Sequence, residues 1–289
     1  MKISEALEKA GYGDIERKTG DAEKAQDEHQ APPAPPKIAI KEKKSGDIPV
    51  AKSIGGKWDP RLFKAVNDDI YIPEVFKTLR SRILHPLDER TRPKTILVTS
   101  AVPREGKSFV SANLGISLAH GMDQHSLLVD CDMRKPVLAK MFGLDNSVGL
   151  VDYLRDNVIL SKLIQKTTVS TLSVLASGIS PANPAELLSS SKMSALVEEL
   201  SGRYEDRIII FDSPPLLLAA ESTVLAGQVD AVVLVVRQST AGKPQIQKVI
   251  DIIGAEKILG VVFNDQDVNP IQKTIVKGYS SYHGGYYHQ

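Results

Sequence analysis

The sequence predicts an α/β fold with a mostly parallel central sheet and helices on both faces. Three observations predict it. From residue 70 onward apolar runs alternate with helical stretches. A Gly-Lys-Ser triplet falls between one such run and one such helix. One of the runs ends in aspartate and another is followed directly by one.

The runs are Thr95–Thr99, Ser126–Asp130, Leu172–Leu175, Arg207–Phe211, Ala231–Val236 and Leu259–Phe263. Most are near-continuous Val, Ile and Leu, as strands covered on both faces require. The intervening helices are read at Ser108–His120, Pro184–Arg203 and Pro244–Gly254. A further helix, Glu74–Leu84, precedes the first strand, with Val75, Leu79 and Ile83 as its apolar stripe. Such alternation builds parallel sheets.

Residues 1–69 read differently. Ile3, Ala6, Leu7 and Ala10 fall at helical spacing, and Gly11 stops that short helix. A polar, charged stretch follows, and Pro32, Pro33, Pro35 and Pro36 stiffen an extended linker. The expected organisation is a flexible tail with a Pro-rich linker over 1–69, a nucleotide domain over 70–277 and a flexible Tyr-rich tail over 278–289.

Composition narrows the function classes. Lys and Arg total 36 against 35 Asp and Glu, so no charge excess points to nucleic acid. Cys131 is the one cysteine, which precludes an intramolecular disulfide and fits a reducing compartment. The N-terminus lacks the apolar core of a signal peptide. No run reaches the length of about 18 apolar residues that a membrane span needs, so a non-spanning, cytoplasmic chain is expected.

Ala101-Val102-Pro103-Arg104-Glu105-Gly106-Lys107-Ser108 carries the end of the phosphate-loop consensus, Gly-Lys-Ser, in the strand-to-helix context that the motif requires. Amides at a helix start bind phosphate oxygens, assisted by the helix dipole. Arg104, Glu105, Gly106, Lys107, Ser108 and Phe109 are therefore the predicted ATP-contacting stretch. Lys107 reaches the β- and γ-phosphates and Ser108 ligates Mg²⁺. Ala101 stands at the first consensus Gly, and Arg104 stands where Gly is common.

Asp130 and Asp212 end two buried strands, at the sheet edge where ligands bind in open α/β folds. Asp212 suits direct or water-mediated Mg²⁺ binding. Asp130 and Asp132 lie two apart and share a side if the strand continues. One of them can take a proton from an attacking hydroxyl while the other supports the metal. The plainer alternative, a cap on the following turn, fits Asp132 better than Asp130. Cys131 points the other way, as a small buried residue.

Residues 70–289 resemble the bacterial tyrosine kinases of polysaccharide export. The resemblance rests on the phosphate loop, on a second acidic motif Val129-Asp130-Cys131-Asp132-Met133-Arg134, and on Ala176–Leu188. In that last segment Asn183 reads as an N-cap, with Pro184 and Glu186 in the first turn. Glu74, Lys77 and Arg80 match the family's oligomerisation motif, with Lys77 where the motif has Arg. Tyr279, Tyr282, Tyr286 and Tyr287 match its C-terminal tyrosine cluster.

The resemblance implies that a Tyr hydroxyl of one subunit attacks the γ-phosphate of ATP held by another, with Asp130 as base and Asp132 and Asp212 on the metal. It implies Arg134 at a subunit contact and Asn264 as an adenine contact. It also implies ring assembly, a separate membrane chain-length regulator (Wzz-like) as activator, a cognate tyrosine phosphatase, and a place at the inner face of the plasma membrane through that partner. Two alternatives stay open on the residues alone. One is a ParA/MinD-type ATPase switch, although Val102 replaces the Lys that marks its loop. The other is an ATP-binding scaffold without transfer activity, for which Arg104 speaks.

Overall fold

The computed structural model describes residues 56–62, 71–86, 91–121, 124–203 and 206–265, with the side chains of 71–73 excepted. They belong to one unit, Pro49–Gln289. The C-terminal tyrosines and residues 1–55 lie outside the described set.

Among the described residues seven strands form one sheet: β1 Thr95–Ser100, β2 His125–Asp130, β3 Ile164–Lys166, β4 Leu172–Leu175, β5 Arg207–Asp212, β6 Ala231–Arg237 and β7 Ile258–Asn264. Their order is β3-β4-β2-β5-β1-β6-β7. All neighbours pair in parallel except β3 with β4. Every residue of β1 is buried, as the double-faced apolar pattern requires. From β1 the chain crosses toward β2 on one side, and from β5 it crosses to β6 on the other. β1 therefore ends at the point where the winding reverses, the position at which ligands bind in such sheets.

The helices are α1 Tyr71–Leu84, α2 Lys107–Ala119, α3 Leu138–Met141, α4 Leu150–Asp156, α5 Pro184–Leu188, α6 Ser191–Arg203, α7 Ala220–Gln228 and α8 Lys243–Ile253. Three expectations need correction. The helix read over Pro184–Arg203 is broken. Ser189 Oγ donates to Ala185 O (2.8 Å) and Ser190 Oγ donates to Leu187 O (2.7 Å), while Ser190 Oγ accepts from Met193 N (3.2 Å). Two serines thus end one helix and start the next through backbone bonds of their own. Asn183 sits at the N-cap of α5 but makes no side-chain cap bond. In α1 the buried face is Phe76, Leu79 and Ile83, with Val75 40% exposed. The Phe76 ring turns the stripe by one residue because it meets Phe109 edge-on at 6.4 Å.

Gly56–Leu62, read as tail, packs on the domain. Trp58 and Leu62 are buried, and the Trp58 ring meets Phe142 edge-on at 5.0 Å. Asp59 N donates to Met141 O at 2.8 Å. The backbones of Gly56 and Gly143 touch, so neither position has room for a Cβ. Local composition hides this docking, because its partners lie some eighty residues onward. Trp58→Ala is expected to lower unfolding stability by about 3 kcal/mol in urea titration, as for other buried aromatics cut to Ala. A change below about 0.5 kcal/mol, the range of ordinary surface substitutions, would contradict the packing.

Candidate functional site

The loop from Ala101 to Gly106 joins β1 to α2 and is closed by its own side chains. Ser100 Oγ donates to Val102 O at 2.8 Å, and Val102 N donates to Glu105 Oε2 at 2.9 Å. Glu105 is fully buried and its Oε1 accepts from Arg237 N at 3.2 Å. Burial pushes its carboxyl up, and the bonds from Val102 and Arg237 hold it down. The Glu105 side chain thus serves the loop's shape and leaves its amides to face a ligand.

Gly106 caps α2 in the left-handed region (φ 91), and the Asn264 amide lies where its Cβ would be. Asn264 Nδ2 donates to Glu105 O at 2.9 Å, so the residue expected at adenine faces the loop backbone. Arg104 also has positive φ (66). That explains the usual Gly at this position, since a side chain there costs about 1–2 kcal/mol.

Lys107 and Ser108 open α2, the former buried and the latter half-buried, at the C-terminal ends of β1, β2 and β5. Asp130 and Asp212 stand in register on neighbouring strands, a spacing of about 4.8 Å. Both are fully buried. Asp212 Oδ1 accepts from Ser111 Oγ at 3.1 Å, whereas its Oδ2 is buried without a hydrogen-bond partner among the described residues. Burial raises Asp212 from 3.8 to about 6 against the pull of Ser108, Lys107 and Ser111.

Asp130 is pushed well up by burial and then by the Asp212 charge. Its Oδ2 accepts from Val137 N and Leu138 N, both at 3.0 Å, and its Oδ1 accepts from Asp132 N at 3.2 Å. Sequence reading favoured capping at Asp132; the structure finds it at both. β2 stops at Asp130, and the Lys135-Pro136 turn folds the α3 amides back onto the carboxylate. Asp132, half-buried, accepts from Lys135 N at 3.1 Å, and burial outweighs Lys107 in setting its upward shift. Cys131 is buried with its thiol pushed up by burial, which leaves it a packing residue.

An orphaned carboxylate oxygen beside a hydroxyl and a lysine fits a Mg²⁺ that also binds phosphate oxygens. Among the described residues no three His, Cys, Asp or Glu side chains make a metal site by themselves. One or two protein groups plus phosphates is the usual Mg²⁺ arrangement.

Other expected residues lie elsewhere. Arg80 Nη1 donates to Ser117 O (2.6 Å) in the last turn of α2, about 15 Å along that helix from Lys107. Glu74 and Lys77 form an exposed pair at 3.4 Å. Arg134, half-exposed, binds the buried Glu221 at 2.7 Å. Phe109 packs into the core edge. Sequence reasoning missed Ser111, Glu221 and Arg237. Ser111 had a signal, since it lies one turn after Lys107 on the helix face turned to β5. The other two are set by distant contacts.

No family profile matches the chain. The chain is 35% identical over 198 residues to the tyrosine-protein kinase YwqD of Bacillus subtilis, covering 68% of this chain and 82% of that protein. It is 34% identical over 215 residues to the putative tyrosine-protein kinase CapB of Staphylococcus aureus, covering 74% of this chain and 90% of that one. It is 34% identical to the putative tyrosine-protein kinase EpsB of Ralstonia solanacearum over 78% of this chain, but spans only 29% of that protein. Among solved structures it is similar to the chimerical protein CapA2B2 (TM-score 0.64, 30% identity, 75% of this chain and 95% of that one). It is also similar to the kinase domain of the Escherichia coli tyrosine kinase ETK (TM-score 0.63, 27% identity, 72% and 82%).

The raised Asp212 gives a testable sign. An acid whose folded value lies above its unfolded value stabilises the fold below the unfolded value, and that contribution is lost as pH rises through the folded one. In nucleotide-free protein, Asp212→Asn is therefore expected to gain stability over the parent between pH 4.5 and 7.5, by about 2 kcal/mol at one pKa unit per 1.4 kcal/mol over the roughly 1.5 units between pH 4.5 and the folded value. Urea titrations at the two pH values check it. A pH-independent difference would contradict the burial of an unpaired charge.

Proposed function

The chain belongs to the bacterial tyrosine-protein kinase family, and on that premise we propose that it phosphorylates tyrosines of its own C-terminal cluster on another subunit. It is a tyrosine kinase on a nucleotide-binding fold, which sets the partitioning-ATPase alternative aside. The observation that carries the site assignment is the orphaned Asp212 Oδ2 beside Lys107 and Ser108.

In this reading the amides from Glu105 to Phe109 hold the phosphates, and Lys107 neutralises charge on the transferred group. Ser108 and Asp212 would hold Mg²⁺, supported by Asp132, and the ion would supply positive charge against that developing on the transferred phosphoryl group. Asn264 Nδ2 and the left-handed Arg104 also serve the loop's shape. Asp130 accepts the proton of the incoming hydroxyl. Burial makes it a stronger base, which suits a phenol of ordinary pKa about 10. Three of its roughly four acceptor positions are filled by backbone amides, which aims the one left open. A second reading gives the proton to Asp132, favoured by its partial exposure.

The domain is assigned to 70–277 with Gly56–Leu62 as a docked strap, and Tyr279, Tyr282, Tyr286 and Tyr287 as acceptors. Glu74, Lys77, Arg80 and Arg134 are assigned to ring contacts. Exposure of Glu74 and Lys77 supports this, while Arg80 is tied within its own chain. Phosphates on the tail, at roughly −1.5 to −2 charges each, loosen the ring. Control of exopolysaccharide synthesis through a membrane activator and a phosphatase follows from the family resemblance. The similarity to a chimerical protein, CapA2B2, supports a partner segment that docks on the kinase. No described helix is long and apolar enough to cross a membrane.

Incubation with ATP and Mg²⁺, with and without the activator segment, followed by mass spectrometry, is expected to place phosphate on the tail tyrosines. Lys107→Ala abolishes it. Asp130→Asn lowers the transfer rate at least about 100-fold with nucleotide affinity retained; a larger loss in Asp132→Asn moves the base there. ATP hydrolysis with an unmodified tail, activator present, would overturn the kinase reading.

A further inference from the structure

Two residues, one within the phosphate loop and one just after β7, hold backbone conformations that side chains disfavour. Arg104 has φ 66 and Asp265 has φ 53, both left-handed and neither glycine. Such residues persist only where surrounding contacts over-determine them. The contacts here converge on one side chain. Arg237 ends β6, next to both the loop and β7. Its Nε donates to Asp265 Oδ2 at 2.9 Å, and its Nη2 donates to the same oxygen. Its Nη1 donates to Arg104 O at 3.3 Å, and its backbone N donates to Glu105 Oε1 at 3.2 Å. Asn264, one residue before Asp265, donates to Glu105 O. The planar fork of arginine satisfies two acceptors at fixed angles, which a lysine ammonium does not.

We propose that Arg237, given a phosphate loop at 101–108, is a positioning residue that holds Arg104 in its left-handed conformation and thereby sets the loop's geometry for nucleotide. It touches no reacting atom. Its bonds are partly exposed, with the Arg237 and Asp265 side chains 42% and 63% accessible. Exposed ion pairs add little to global stability. Removal of the fork therefore acts on the loop before it acts on the fold. Arg104 relaxes out of the disfavoured region, and the Glu105–Gly106 backbone moves with it. A glycine at 104 adopts the left-handed region without strain, so the need for the fork falls when Arg104 becomes Gly.

The test uses the full chain as parent, Arg237→Ala, Arg237→Lys, Arg104→Gly and the Arg104→Gly/Arg237→Ala double variant. Amide hydrogen exchange without nucleotide is expected to speed up over Val102–Gly106 in Arg237→Ala, with the melting temperature moved little. Calorimetric Kd for ADP with Mg²⁺, and KM for ATP, are expected to rise about five- to tenfold in Arg237→Ala. The rise is expected with kcat retained. Arg237→Lys falls near Arg237→Ala, and the double variant returns most of the lost affinity. Unchanged exchange in the loop, or independent losses that add in the double variant, would overturn the role. The exchange readout needs no kinase activity, so failure of the kinase reading alone leaves it standing and is distinguished from failure of the clamp.

Discussion

Two carboxylates at the ends of adjacent parallel strands, both out of water, set the terms for everything around them. Asp130 and Asp212 stand in register; burial makes both costly to ionise, and the Asp212 charge adds to the cost at Asp130. A buried charge without compensation is costly, and a protein lowers the cost with hydrogen bonds, cations or protons. This chain uses different means on the two. Asp130 has three of its roughly four acceptor positions filled by amides of its own turn and of the start of α3. Asp212 keeps one oxygen unfilled and faces Lys107, Ser108 and Ser111. The asymmetry divides the labour: one acid is fixed and basic, while the other waits for a cation.

The phosphate loop answers the same constraint from the other side. α2 points its amide end at the carboxylates, and its first side chain is a lysine. Glu105, by turning inward, ties that loop to β6 instead of adding a fourth negative charge to the mouth. The sheet order places the loop at the reversal of winding, so β5 and β2 bring their acids to one flank while β6 and β7 bring Arg237 and Asn264 to the other. Strand order, more than local sequence, decides which residues meet.

That division also explains what could be read in the sequence. The strands were legible because double-faced burial writes itself as runs such as Ala231–Val236. The Gly-Lys-Ser triplet and both strand-end aspartates were legible because each joins a residue type to a strand boundary. β3 was not, since three residues with one buried side carry no pattern. The break at Ser189-Ser190 lay in side-chain bonds that compete with the helix. The bonding of Asp130 depended on a turn seven residues onward. The left-handed Arg104 was visible only as an odd substitution, because the side chain that holds it lies 133 positions away.

The central claim is that burial keeps Asp212 partly protonated near pH 6 and that a bound metal displaces that proton. Calorimetric binding of ADP with Mg²⁺ at pH 6, repeated in buffers of different ionisation enthalpy, counts that proton directly. Release of about half a proton per site, lost in Asp212→Asn, is the predicted result for an acid titrating near 6. Binding with no proton release, or with equal release in Asp212→Asn, would contradict it.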